Sequence, residues 1–267
     1  MRLVRVAAIL VRQFYLVRGS ASRVLPMFVW VAIDIVLWGF ITKYLTTITG
    51  SGFRFVPALL GAVLLWDFLT RVMQGVTMAF FEDVWSRNFL NVFASPISVP
   101  EYLSGLVLSS ICTSSVGLGV MLLVATLAFG LSFFSYGAML APFLLILFLS
   151  GIALGITGTS IVLRLGPAAE WFVWPIPAVL SPFVGVFYPL ATLPPWMQAV
   201  GHLLPPSYVF EGMRAVLAHR TFSAGSLAVG AAIAALDILL AGYFFARVFR
   251  YAIRTGLLAR YSAESAA

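Results

Sequence analysis

Apolar residues dominate the chain in long runs, and the polar residues that interrupt them mark out its elements. A run of roughly twenty apolar residues is enough to cross a bilayer as a helix. On that basis the pattern predicts six spans, at about 24–45, 55–80, 102–129, 137–163, 171–190 and 226–245. Ahead of the first, Leu3, Val6, Ala7, Leu10, Phe14 and Val17 follow one helical stripe, with Arg2, Arg5, Arg12 and Gln13 away from it. This predicts an amphipathic helix within residues 1–23 lying in the membrane interface. The fold class expected is all-α, a polytopic membrane protein with a six-span body over 24–246 and a basic tail over 247–267.

The longest polar, proline-punctuated break before the middle of the chain is residues 81–101. Trp85, Phe89, Val92 and Phe93 recur at helical spacing, while Glu82, Asp83, Ser86, Arg87 and Asn91 occupy the other faces. That is the pattern of a short amphipathic helix ended by a proline. Its aromatic face could rest on lipid or dock on a soluble partner. Glu82, Asp83 and Glu101 outnumber Arg87, whereas a helix resting on anionic lipid is expected to be basic, so the balance favours docking.

Pro175, Pro177, Pro182 and Pro189 break the fifth run, and each removes a backbone donor. Non-helical backbone at membrane depth persists where it packs in protein or lines a wet cavity, so this run is expected to border a passage. Residues 191–224 are too long for a turn and too interrupted for a span. They read as two short helices that re-enter the outer leaflet, with Tyr208, Glu211 and Arg214 in the second.

Composition narrows the class. The chain of 267 residues is 62% hydrophobic and only 9% charged, with a mean hydropathy of +1.05, against roughly a quarter charged in a soluble domain. Its net charge of +7 is explained by where the arginines fall, so nucleic-acid binding is a poor reading. Five lie in the N-terminal segment, Arg87 and Arg164 in loops and four in the tail, together eleven of the sixteen basic residues. By the positive-inside rule those segments, and both termini, are cytoplasmic, at the cell inner membrane. The first apolar run is too long for a signal-peptide core and reads as a retained span. Cys112 is the only cysteine, and His202 and His219 are the only histidines, too few for a disulfide or a metal site. Lys43, the only lysine, does not follow glycines, so the chain holds no phosphate loop, and neither HExxH nor GxSxG occurs. No catalytic residue, metal or bound cofactor is expected.

A charge inside a membrane is a functional candidate by default. Asp67 and Arg71 stand one helical turn apart and can pair. Asp34 and Asp237 have no local partner in sequence and could face the passage or a neighbouring helix. Ser109, Ser110, Ser114, Gly117 and Gly119 suit close helix contact in the third span. Aromatic residues gather in spans one, two and five. Trp30, Trp38, Trp66, Phe183, Phe187 and Tyr188 are candidates for contact with cargo, although Trp171 and Trp174 also fit an ordinary aromatic belt.

Three loop stretches, Arg87-Asn88-Phe89-Leu90, Ala94-Ser95-Pro96-Ile97-Ser98 and Glu101-Tyr102-Leu103-Ser104-Gly105, resemble the first cytoplasmic loop of ABC-2 type transporter permeases. The segment Leu204-Pro205-Pro206-Ser207-Tyr208-Val209-Phe210-Glu211-Gly212-Met213-Arg214 is similar to that family's proline-aromatic-Glu-Gly-x-Arg segment. The resemblance implies a half-transporter: two permeases, here a homodimer, working with two separate cytoplasmic ATPase subunits that carry ATP and Mg. It also implies that residues 81–101 form the coupling helix, with Glu82, Trp85, Arg87, Phe89 and Phe93 bearing on the ATPase. Cargo would be a glycan, a glycolipid or another amphipathic molecule, as in the polysaccharide-exporting branch, or a small hydrophobic drug or lipid. An ion-coupled secondary transporter using Asp34 and Asp237 is the reading from another class. The absence of a detectable inverted repeat counts against it.

Overall fold

A computed structural model describes residues 3–19, 21–49, 56–86, 91–92, 95–131, 133–218 and 223–257. All regular structure among them is helical. The main elements are α1 (Leu3–Arg18), α2 (Ala21–Thr49), α3 (Gly61–Trp85) and α4 (Val99–Phe129), then α5 (Leu140–Leu165), the short α6 (Glu170–Val173) and α7 (Ile176–Val184). They are followed by α8 (Pro195–His202), α9 (Pro205–Leu217) and α10 (Ala224–Arg254). In hydrocarbon every backbone polar group must be satisfied within the chain, which is why such apolar runs fold as helices.

Among the described residues four stretches are long and apolar enough to cross a membrane: Ala58–Trp85, Val99–Phe129, Tyr136–Leu165 and Ala224–Arg254. The predicted first span corresponds to α2, whose 29 residues reach roughly 43 Å at ~1.5 Å per residue. The predicted fifth span is not one helix. Trp174 and Pro175 separate α6 from α7, and α7 stops at Gly185 in the left-handed region (φ 68°). At nine residues, α7 is far too short to cross.

Helix α5 is the spine, with α3 on one side and α10 on the other; α4 covers the far side of α3, and α2 lies against α4. Glycine sets the closeness of the α3–α5 contact. A Cβ at Gly151 would stand 2.7 Å from the Val72 Cβ, and one at Gly155 would stand 2.7 Å from the Val76 Cβ, with main-chain carbonyls of Leu69 and Met73 equally near. Small residues four apart let two backbones approach where no hydrophobic effect drives association. On the other flank Ser110 Oγ donates to the Val72 carbonyl of α3 (2.7 Å). Of the small residues picked out in α4, Ser109, Ser110, Ser114 and Gly117 are buried, whereas Gly119 meets nothing within 4 Å.

Side-chain contacts place α1, the last turns of α3, α5 and α10 and the first turn of α4 at one end of the bundle. This basic end carries Arg164, Arg247, Arg250 and Arg254. The orientation of α1 differs from expectation. Val6, Ile9 and Gln13 are buried, while Leu3, Val4, Phe14 and Tyr15 are 58–81% exposed. Val6 and Ile9 pack against the protein beside Gln13 and the paired arginines Arg5 and Arg12, while a second apolar side of the helix is left bare.

Replacing Gly155 with Val forces branched carbons into Val76 and the Met73 carbonyl, and overpacking of this kind costs about 1–3 kcal/mol. Thermal unfolding of the detergent-purified protein should show a lowered midpoint for Gly155→Val. Gly119→Ala, in open space, should leave it unchanged or slightly raised.

Candidate functional site

Three arrangements of polar side chains stand out, at the basic end, at the opposite end and between them. At the basic end Asp83 has no solvent exposure. A carboxylate that deep persists only with charge and hydrogen-bond partners. Arg12 of α1 forms an ion pair with it, and the Tyr102 hydroxyl of α4 donates to its Oδ2 (2.7 Å). Beside them Arg5 pairs with Glu101 (3.3 Å), whose Oε2 also accepts the Ser98 backbone N–H (3.0 Å) in a capping box at the start of α4. Gln13 Nε2 donates to the Ala79 carbonyl of α3 (3.0 Å). Helices α1, α3 and α4 are thereby clamped together on both sides of the 86–98 connection.

This changes the reading of residues 81–101. Glu82 and Trp85 do not begin a separate amphipathic helix; they form the last turn of α3. Trp85 Nε1 donates to Glu170 of α6 (3.0 Å). Asp83 and Glu101 are not part of an acidic docking face, because both are consumed inside the clamp, so the charge argument for docking loses two of its three carboxylates. Arg87, Phe89 and Phe93 lie outside the described residues.

Between the ends is a cleft of about 300 Å³ lined by Asp34 and Trp38 of α2, Trp66, Asp67 and Thr70 of α3, and Trp174, Pro177 and Phe187 of the broken segment. Arg71 Nε donates to Asp67 Oδ2 (2.9 Å), one turn away. Trp38 stacks on Phe187 with centroids 5.1 Å apart and planes 15° apart. Thus Asp34, Asp67, Trp38, Trp66 and Phe187 converge from three parts of the sequence. The others do not. Phe183 packs edge-on to Trp196 (6.0 Å), Tyr188 donates to the Pro182 carbonyl (2.8 Å), and Asp237, half-buried on α10, does not line the cleft. The side chain of Trp30 lies outside the described residues.

At the far end Arg214 Nη1 donates to the Gly185 carbonyl (2.8 Å) and Nη2 to Glu211 Oε1 (2.9 Å), which also accepts the Leu190 N–H (2.7 Å). The Tyr208 hydroxyl donates to the His202 carbonyl (2.9 Å) and Ser207 Oγ to the Gly201 carbonyl (2.7 Å). Glu211 and Arg214 therefore tie α9 to the reversal after α7 and satisfy backbone groups that the end of α7 leaves open.

Sequence reasoning missed Arg5, Arg12, Gln13, Asp83 and Tyr102 as a unit. One signal was available: Ser98-Val99-Pro100-Glu101 is a capping-box sequence with proline in the first turn, which places Glu101 inside a helix rather than in a loop.

The site contains no nucleophile–base pair, and among the described residues no group of three or more His, Cys, Asp or Glu could hold a metal. Long apolar helices, braced by polar side chains at both ends around an aromatic, charged cleft, mark a multi-pass membrane protein. A model of the ABC-2 type transporter family matches residues 8–218, and the chain belongs to that family. It is a permease component, not the ATPase, and ABC-2 permease domains work with ABC ATPase partners. A search of curated proteins returned no match.

Removing Arg12 strands a buried charge, a loss of about 3–5 kcal/mol, whereas neutralising the carboxylate costs less. Thermal unfolding should therefore show Arg12→Ala well below Asp83→Asn. Adding Asp83→Asn to Arg12→Ala should recover part of the loss. Equal midpoints for the two single variants would refute an ion-paired clamp.

Proposed function

We propose that this permease is the membrane half of an ATP-driven exporter, in which two copies pair and two cytoplasmic ATPase subunits engage the 86–98 connection. The observation that carries the proposal is the clamp. Both flanks of that connection are tied to each other and to α1 by Arg12–Asp83–Tyr102 and Arg5–Glu101. A force applied there moves α1, α3 and α4 together, which is what a coupling element requires. Arg87, Phe89 and Phe93 are the residues that would meet the ATPase, with Trp85 and Glu82 at the edge. The basic end is then cytoplasmic, as are both termini, in the inner membrane. Helices α2, α3, α4, α5 and α10 supply five crossings and the broken α6–α7 segment the sixth, with α8 and α9 re-entering the outer leaflet.

The cleft supports an amphipathic cargo. Aromatic faces pack on sugar rings and on alkyl chains alike, while Asp34, Asp67 and Thr70 offer hydrogen bonds to hydroxyl groups. A glycan or glycolipid uses both features, which favours it over a small hydrophobic drug.

Phe89→Asp or Arg87→Glu should abolish co-purification with the cognate ATPase. Unchanged complex and transport in either would sink the docking assignment. In inverted vesicles, uptake should require ATP and survive a proton uncoupler; collapse under the uncoupler would favour an ion-coupled transporter.

Trp38→Ala removes an aromatic face from the cleft, and one aromatic contact with a bound cargo is worth about 0.5–1.5 kcal/mol. Cargo-stimulated ATP hydrolysis should need roughly threefold to tenfold more cargo for half-maximal response. An unaltered response would remove the cleft from the cargo path.

A further inference from the structure

A second groove, of about 620 Å³, lies at the basic end between the last turn of α5 and the last three turns of α10. Arg164 enters it from α5, and Arg247, Arg250 and Arg254 enter from α10. Among the described residues no carboxylate lines it and none of these arginines forms an ion pair. Two are positioned by aromatic rings instead. The Arg164 guanidinium lies 5.1 Å from the Tyr251 ring centroid and that of Arg247 lies 5.9 Å from the Tyr243 centroid. Four like charges converging with no counter-charge among the described residues repel one another, so an anion seated among them would be strongly stabilised.

The surroundings define that anion. Helix α10 has 31 residues, about ten more than hydrocarbon requires, so its last turns emerge at headgroup depth. One to three turns nearer its N-terminus, Leu236, Leu239, Leu240 and Phe244 are 39–71% exposed and continue along α10 as an apolar surface. Guanidinium groups bind phosphate oxygens in pairs, and apolar surface leading away from them suits acyl chains. We propose that this groove binds the phosphate of an anionic phospholipid, with Arg164 closing the site from α5 and the exposed apolar residues of α10 receiving the chains. The site is independent of the cargo reading, since it shares no residue with the cleft.

The test uses the full-length, lipid-depleted permease in detergent, titrated with dioleoylphosphatidylglycerol or dioleoylphosphatidylcholine and read by native mass spectrometry. The glycerol lipid should bind more tightly than the choline lipid. Arg164→Gln should weaken it about fivefold and Arg164→Gln/Arg250→Gln roughly twentyfold, at the contribution usual for an arginine near anionic lipid. Choline-lipid binding should not change, and the double lysine variant should retain most of the preference. Should the double glutamine variant lose its monodisperse chromatographic peak, the single variant gives the same reading. Equal affinity for the two lipids would overturn the proposal, as would an equal loss in Arg18→Gln, which removes a basic-end charge outside the groove. Inorganic phosphate binding as tightly as the lipid would assign the groove to a free anion and also overturn it.

Discussion

Asp83 cannot reach water, and much of the basic end is arranged around that constraint. An ionised carboxylate in such a place needs a cation and donors at close range, and α3 itself offers none within its last turn. Arg12 comes from α1 and the Tyr102 hydroxyl from α4, so one buried charge fixes the positions of two other helices. The same constraint helps to orient α1. With Arg5, Arg12 and Gln13 committed to the protein, the residues left outside are Leu3, Val4, Phe14 and Tyr15, and an apolar exposed face suits lipid. A helix held by ion pairs on one side, with apolar side chains exposed on the other, is both anchored and oriented.

Packing elsewhere divides the molecule by how tightly its helices meet. The α3–α5 contact, with Gly151 and Gly155 against Val72 and Val76, has no room for sliding, because the main chains themselves are nearly in touch. Helix α2 and the α6–α7 segment are different. They bound a cleft instead of closing on α3, and α7 is a nine-residue piece with Pro182 inside it. Rearrangement during transport is therefore easiest where α2 and α6–α7 face α3, and hardest at the α3–α5 seam.

Much of this could be read in the sequence where periodicity and length decide. The apolar runs located α4 and α5 to within about three residues, missed the ends of α3 by five or six and stopped nine residues short of the end of α10, while Asp67 with Arg71 followed from a spacing of four. The proline-rich fifth run was legible as a broken element. What stayed hidden depended on contacts between distant segments. Asp83 looked like one more polar residue in a loop because its partners lie 71 residues earlier and 19 residues later. The aromatic candidates were divided in the same way: Trp38 and Phe187 meet only because α7 ends at Gly185 and turns the chain back toward α2.

The two clamps bear on the same question from opposite ends. At the basic end the ion pairs join the helices that flank the 86–98 connection, so that those helices move together. At the far end Glu211 and Arg214 join α9 to the backbone at Gly185 and Leu190, so that the reversal carrying Phe187 cannot move without α9. The stacked Trp38 and Phe187 rings lie between these two mechanical units. A cleft whose walls belong to separately braced segments can change width while each brace stays intact. A single rigid bundle would lack that freedom.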